Sequence, residues 1–338
     1  MTAGHARTLR AFARRLHCAL DASPGLAGLT VQKIATLTLN PALDVATRIG
    51  SVAPEIKLRC AEPVFHPGGG GINVSRAIAF LGGVSSAVYT AGGHNGTMLA
   101  RLLNDERIDN HPLPIAGITR ENVVVYEEST ALQYRFTMPG PALGADEWVA
   151  CLEALFNLNP AYIVASGSLP PGVPTEFYGE ITRYAREYGI RVILDTAGDA
   201  LNRAIGKGVF LLKPNLRELE RFAGESIHGE RQIRQAGQRL IAEGLTDVLV
   251  VSMGAAGAVL ITAADCIHIR APIVPIQSKV GAGDSMVAGI VLGLARGFKL
   301  ADAARLGVAA GSAAVMTAGT QLCRAEDAWR LYDEISLA

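Results

Sequence analysis

The chain has 338 residues, about half of them hydrophobic. That is enough for two domains, or for one large α/β domain with an appendage, without disulfide staples. Basic and acidic residues balance at 31 each, and a net charge of zero argues against nucleic acid or an anionic membrane as the main partner. The five cysteines are scattered, with no Cys-x-x-Cys and no His-rich ligand spacing. This suits a reduced, cytoplasmic protein without structural zinc.

Residues 1–32 stand apart. Arg7, Arg10, Arg14 and Arg15 accumulate against a single acid, Asp21, and the segment ends in Pro24-Gly25 and Gly28. A flexible or locally helical extension without catalytic importance is expected, the alternative being a basic amphipathic targeting helix. Beyond it, no apolar run reaches membrane-spanning length.

Lys33 to Leu39 reads as the first strand, ended by Asn40-Pro41 and followed by Asp44. A carboxylate there lies where open α/β sheets bind ligands, although an Asx turn would use the same residue. From Val45 to Pro67 only short extended pieces are expected, carrying Lys57 and Arg59. Gly68 to Gly71 then run straight into a helical pattern (Ile72, Val74, Ala77, Ile78, Leu81). This glycine-loaded helix entrance is neither a P-loop nor a dinucleotide fingerprint. It suits close approach of backbone to a polyhydroxy ligand, with Asn73 bonding hydroxyls.

A strand (85–90), a helix (about 95–104) and a short strand near Ile108 follow. The period then changes: Asn122 to Tyr126 and Gln133 to Met138 form a hairpin rather than a βαβ unit. With residues 45–66 it is expected to make a small separate sheet, a lid or a dimer surface. Arg120 and Arg135 sit on it, and arginine forks suit a phosphate. From Asp146 helices and apolar strands alternate: helix 146–158, strand 162–165, a helix to Tyr188, strand 191–195, strand 209–212, helix 230–243 and strand 248–251. Each strand ends in a polar or glycine-rich turn, among them Ser166 to Gly172, Lys213 to Glu218 and Ser252 to Gly257. That pattern predicts a doubly wound, mostly parallel sheet with ligands along its carboxyl edge.

The chain is organised around Val280-Gly281-Ala282-Gly283-Asp284. Two glycines and an aspartate precede an apolar helix (Met286, Val287, Ile290, Val291, Leu294). Unpaired N–H groups at such an N-terminus form a hole for negative charge. Asp284 at its rim is placed either to take a proton from an attacking hydroxyl or simply to cap the helix. A helix at about 300–316, rich in small residues, and an amphipathic helix near Leu331 complete the chain.

Taken in order, Thr38 to Asp44, the glycine loop with Asn73, Lys213-Pro214-Asn215 with Glu218, Ser252 to Gly257 and Val280 to Asp284 resemble the ribokinase (PfkB) family of sugar kinases. The resemblance covers about residues 33–337. Lys57-Leu58-Arg59-Cys60, the all-glycine loop and Gln133 to Phe136 narrow it to the isozyme 2 subgroup of bacterial 6-phosphofructokinases. It implies a ribokinase-like fold and transfer of phosphate from MgATP to the 1-hydroxyl of fructose 6-phosphate. The implied alternatives are tagatose-6-phosphate kinase or 1-phosphofructokinase activity, and, remotely, a sensor that has lost catalysis.

On that resemblance Asp284 is the general base, and the amides of Gly281, Ala282 and Gly283 form the anion hole. Asp44, Gly69, Gly70, Asn73 and Ser168 hold the sugar, and Arg120 and Arg135 its phosphate. Lys57, Lys213, Asn215, Ser252, Gly254 and Gly257 line the nucleotide, and Glu218 holds Mg²⁺ through water. Ser278, Val280, Ala314 and Gly319 bind a monovalent cation such as K⁺. A homodimer through the lid is implied. Lys279 stands where the family usually carries Thr, and Ile276 and Gln321 where the subgroup tends to be polar or basic; these departures bear on the cation site and the nucleotide rim.

Overall fold

The computed structural model describes residues 31–336, so the basic extension expected over residues 1–32 lies, but for its last two residues, outside the described part. β1 (Ile34–Thr38) forms where the apolar run predicts it and buries all five residues. β4 (Ser86–Ala91), β8 (Tyr162–Ser166), β9 (Arg191–Asp195) and β11 (Val248–Ser252) are apolar runs of the same kind. Continuous apolar strands require cover on both faces. With β5 (Asp109–Pro114), β10 (Leu211–Leu212), β12 (Ala258–Ile261) and β13 (Cys266–Ile269) they make a nine-stranded sheet, ordered β13-β12-β11-β10-β9-β8-β1-β4-β5. From β5 to β11 neighbours pair in parallel, while β12 and β13 close one edge antiparallel.

Two apolar layers flank this sheet. One packs Trp148, Leu152 and Phe156 of α3 (Ala145–Asn157) with Phe177 and Ile181 of α4 (Phe177–Glu187) and Ile233 of α7 (Glu230–Ala242). The other packs α1 (Gly70–Phe80), α8 (Ala282–Ala295), α9 (Leu300–Val315) and α10 (Ala325–Glu334), and α2 (Gly93–Asp105) packs Leu99 and Leu103 against Ala87 and Tyr89 of β4. The small residues of α9 serve helix packing: a Cβ on Gly289 of α8 would lie 2.6 Å from the Leu306 carbonyl. Among the described residues no helix is long and apolar enough to cross a membrane.

The separate sheet is present. β2 (Ala42–Ile49), β3 (Val64–Gly68), β6 (Arg120–Glu127) and β7 (Leu132–Thr137) assemble in the order β3-β2-β6-β7, with β2 and β6 parallel over eight residues. Strand pleating puts Asp44, Asn122 and Arg135 on one face of it, and Leu132 and Phe136 on the other.

Three features depart from the sequence expectations. The strand expected at 209–212 is only Leu211–Leu212. Helices α5 (Gly198–Ala204) and α6 (Leu216–Ala223) span two turns each, too short for their apolar period to register. The β12–β13 hairpin has strands of four residues, which tertiary pairing rather than local pattern defines.

Candidate active site

The carboxyl ends of β1, β8, β9, β10 and β11 open on one edge, the place where doubly wound sheets carry ligands. The N-terminus of α8 points into this edge. Gly281 caps it at φ 74°, a left-handed conformation that suits glycine, and a Cβ there would lie 2.5 Å from Leu322. The first amides of the helix therefore lack a helical partner, and the dipole presents its positive end.

Asp284 sits in the first turn and accepts a 2.9 Å hydrogen bond from Asn73 Nδ2. Asn73 is offered by α1, the second glycine-loaded helix, whose Ile72 N–H donates to Thr38 Oγ1 at 3.0 Å. The packing explains the glycines: a Cβ on Gly71 would stand 2.6 Å from the Leu37 carbonyl and from Thr38 Oγ1, and one on Gly70 would collide with Ser166 Oγ. Gly69 turns at φ 117° against Pro41 and Thr38.

Across the cleft, Lys213 Nζ pairs with Asp195 Oδ1 at 3.3 Å and lies 3.5 Å from where a Cβ on Gly283 would be. An ammonium thus stands beside the helix N-terminus. Burial pushes the Asp284 carboxyl up to about 6; the Asp195 and Asp44 carboxylates add to this, while the Asn73 hydrogen bond and Lys213 oppose it. Burial acts against the Lys213 charge too, yet Asp195 and Asp284 hold its ammonium above the ordinary lysine value. Asp44 accepts from Asn122 Nδ2 at 2.9 Å and is raised by burial, against the pull of Asn122, Arg120 and Arg135. A carboxylate that titrates near neutrality, a fixed ammonium and unpaired amides together can accept a proton and stabilise a migrating anion.

The sequence profile of the pfkB family carbohydrate kinases matches residues 33–328. The chain belongs to that family. It is 44% identical over 306 residues to the ATP-dependent 6-phosphofructokinase isozyme 2 of Escherichia coli K12, covering 90% of this chain and 99% of that protein. The Mycobacterium tuberculosis H37Rv protein of the same name is 44% identical over 303 residues, 89% of each chain. The crystal structure of E. coli phosphofructokinase-2 with potassium superposes with a TM-score of 0.86 at 43% identity, covering 90% of this chain and 99% of that one. That protein also has a tetrameric inhibited form, with a TM-score of 0.85 at 42% identity and the same coverage.

The remaining residues expected at a kinase site fall in three groups. Lys213, Asn215, Ser252, Gly254 and Gly257 meet through a bridge between Asn215 and Ser252, and Ser252 N–H donates to the Pro214 carbonyl at 2.9 Å. Asn215 and Glu218 form a reciprocal capping box on α6, with bonds of 3.0 and 2.8 Å, so both side chains also serve that helix. Ser278, Val280, Ala314 and Gly319 are drawn together: Ser278 Oγ donates to the Gly319 carbonyl at 2.7 Å and accepts from Val280 N–H at 3.2 Å, and Thr317 Oγ1 donates to the Ala314 carbonyl at 2.7 Å. Lys279, between Ser278 and Val280, is exposed.

On the sugar side, Ser168 accepts from Asn40 Nδ2 at 3.0 Å. Arg120 does not project a free fork: it donates to the carbonyls of Asn40, Met138 and Pro41 at 2.9, 3.0 and 3.4 Å, clamping the base of the small sheet. Arg135 is exposed on the Asp44 face. Lys57 is exposed on the loop joining the antiparallel strands β2 and β3, and no hydrogen bond or ion pair among the described residues brings it to the cleft.

Two participants escaped sequence reasoning. Asp195 ends a strand at the carboxyl edge, a signal that the strand pattern already offered. Arg76 is almost fully buried and forks onto Glu106 with two 2.6 Å bonds, while its third nitrogen donates to the Pro67 carbonyl at 3.1 Å, bracing the glycine loop from beneath. Nothing in the local pattern distinguishes it from a solvated helix arginine.

Proposed function

We propose that this chain transfers the γ-phosphoryl group of ATP to the 1-hydroxyl of fructose 6-phosphate. The observation that carries the proposal is Asp284, poised near neutrality at the N-terminus of α8 and held by Asn73. Asp284 accepts the hydroxyl proton, which leaves the sugar oxygen free to attack. The amides of Gly281, Ala282 and Gly283, with Lys213, hold the charge on the migrating group, the part of phosphoryl transfer that depends on electrostatics rather than covalent help. Asp44, Gly69, Gly70, Asn73 and Ser168 orient the sugar. Arg135 faces its phosphate, and Arg120 reaches it once released from its carbonyls. Lys57 joins the ATP phosphates when the small sheet closes.

The donor set fits a Mg²⁺ brought in by the nucleotide. Among the described residues no cluster of three His, Cys, Asp or Glu could hold a metal, so Glu218 would act on an ion whose shell is mostly phosphate and water. Its role is to neutralise charge on the nucleotide. The Gly319 carbonyl accepts one hydrogen bond and keeps a lone pair, which with the carbonyls of residues 278–280 suits a hard monovalent cation such as K⁺, whereas the Ala314 carbonyl already accepts from Thr317 N–H and Oγ1 and would join by giving one of these up.

The family resemblance and the two-faced small sheet support residues 33–338 as one kinase domain whose lid, at about 45–66 and 118–138, also pairs two subunits. Leu132 and Phe136, both more than half exposed on the outer face, are the surface for that pairing. Unpaired Cys60, Cys151, Cys266 and Cys323 accord with a cytoplasmic home.

The test is a coupled ADP-release assay with MgATP and, in parallel, fructose 6-phosphate, tagatose 6-phosphate, fructose 1-phosphate and ribose, with and without K⁺. The highest kcat/KM is expected for fructose 6-phosphate, with stimulation by K⁺. A higher value for either other phosphosugar would reassign the substrate, and no ADP release with any of them would overturn the reading.

A further inference from the structure

The turn Gly254–Ala256 and Gly257 follow β11 on the side of the cleft assigned above to the nucleotide, and their position is fixed from outside the cleft. Gly257, at φ 91°, packs so tightly on the end of β13 that a Cβ there would run into the Ile269 carbonyl. The turn is closed internally by Met253 N–H to Gly257 O at 2.8 Å and Gly257 N–H to Gly254 O at 3.0 Å. One side chain reaches it from β13. His268 places Nε2 2.9 Å from the Ala256 carbonyl and Nδ1 2.9 Å from Glu230 Oε2, on the first residue of α7.

Both ring nitrogens therefore face acceptors. A neutral imidazole carries one N–H and must present a lone pair to the other oxygen; the imidazolium donates to both. The charged and titratable neighbours are consistent. Glu230 accepts from Arg234 through its other oxygen, at 2.7 and 3.1 Å. Cys266 lies on the same face of the hairpin, toward α7, while Ile267 and Ile269 face the apolar layer of α9. The His268 side chain is only 17% exposed, so water competes poorly for these bonds.

We infer that His268 is a positioning residue for the nucleotide: bridging Glu230 and the Ala256 carbonyl, it clamps the Gly254–Ala256 turn to α7. The inference rests on the ATP-site reading of Ser252 to Gly257 and adds a residue that touches neither substrate.

The test compares the parent enzyme with His268→Leu and His268→Gln. For His268→Leu, KM for ATP should rise about tenfold, the scale of one hydrogen bond, with kcat and the sugar KM unchanged. His268→Gln, which keeps one donor for Ala256, should rise less. Hydrogen exchange of residues 253–257, followed without substrate, reads the same clamp whatever the chain phosphorylates, and should be faster in His268→Leu at pH 6. Equal exchange and equal KM for ATP in parent and variant would overturn the inference. Lack of ATP turnover in the parent would instead refute the proposed function, and the exchange comparison would then decide the clamp alone.

Discussion

Replacing Asp284 by Asn removes the base while leaving the shape. The amide fills the same volume at the start of α8, and Asn73 can still bond its oxygen. What is lost is the capacity to take the hydroxyl proton, a contribution of about 10²–10⁴ in rate, or about 2.7–5.5 kcal/mol of barrier. The loss should fall on kcat, with KM for ATP and for the sugar phosphate within a few-fold of the parent, because Lys213, Asn73 and the glycine amides are untouched. The fold gains rather than loses. The rise from 3.8 to about 6 means that folding disfavours the ionised carboxylate. At neutral pH this penalty amounts to about 3 kcal/mol as an upper bound. Above pH 6 the variant should therefore melt at the parent's temperature or higher. The coupled ADP-release assay at saturating substrates measures the first effect and thermal denaturation at pH 7.5 the second. Turnover within tenfold of the parent would refute the role of the base, and a lower melting temperature would refute the desolvation account of its environment.

Since the base must be ionised, kcat/KM should fall tenfold per pH unit below an acid limb centred at about 6. Two variants move that limb in opposite directions. Asp195→Asn removes a carboxylate that raises the Asp284 value and shifts the limb to lower pH, whereas Lys213→Ala removes a cation that lowers it and shifts the limb to higher pH; a pH–rate series on both reads the signs. Leu132→Asp with Phe136→Asp, on the outer face of the small sheet, should leave the melting temperature nearly unchanged and reduce the mass seen by light scattering to that of one chain. Arg76→Ala strands Glu106 and frees the Pro67 carbonyl. Because about a quarter of the Glu106 side chain reaches solvent, a loss near the low end of the buried-pair range, about 3 kcal/mol, is expected in urea denaturation.

The sequence alone determined the layout. Apolar strands without alternation, each ending in a polar turn, require a doubly wound sheet, because both faces must be covered and the ligand edge must stay polar. The hairpin at 122–138 announced a second sheet by its change of period. The two glycine-loaded helix entrances were legible because glycine next to a helical pattern has few other uses, and Asp284 followed from its place after one of them. Tertiary structure decided what a single segment does not encode. Asn73 and Asp284 are 211 residues apart, and only the packing of α1 beside α8 makes them partners. Asp195 and Arg76 acquired their roles from neighbours brought in by other segments of the chain, and Arg120, a phosphate fork by residue type, is held on three carbonyls by the base of the small sheet. The short helices α5 and α6 and the β12–β13 hairpin exist for the same reason: two turns or four residues are too little for local propensity to define, so their form is set by the sheet they complete.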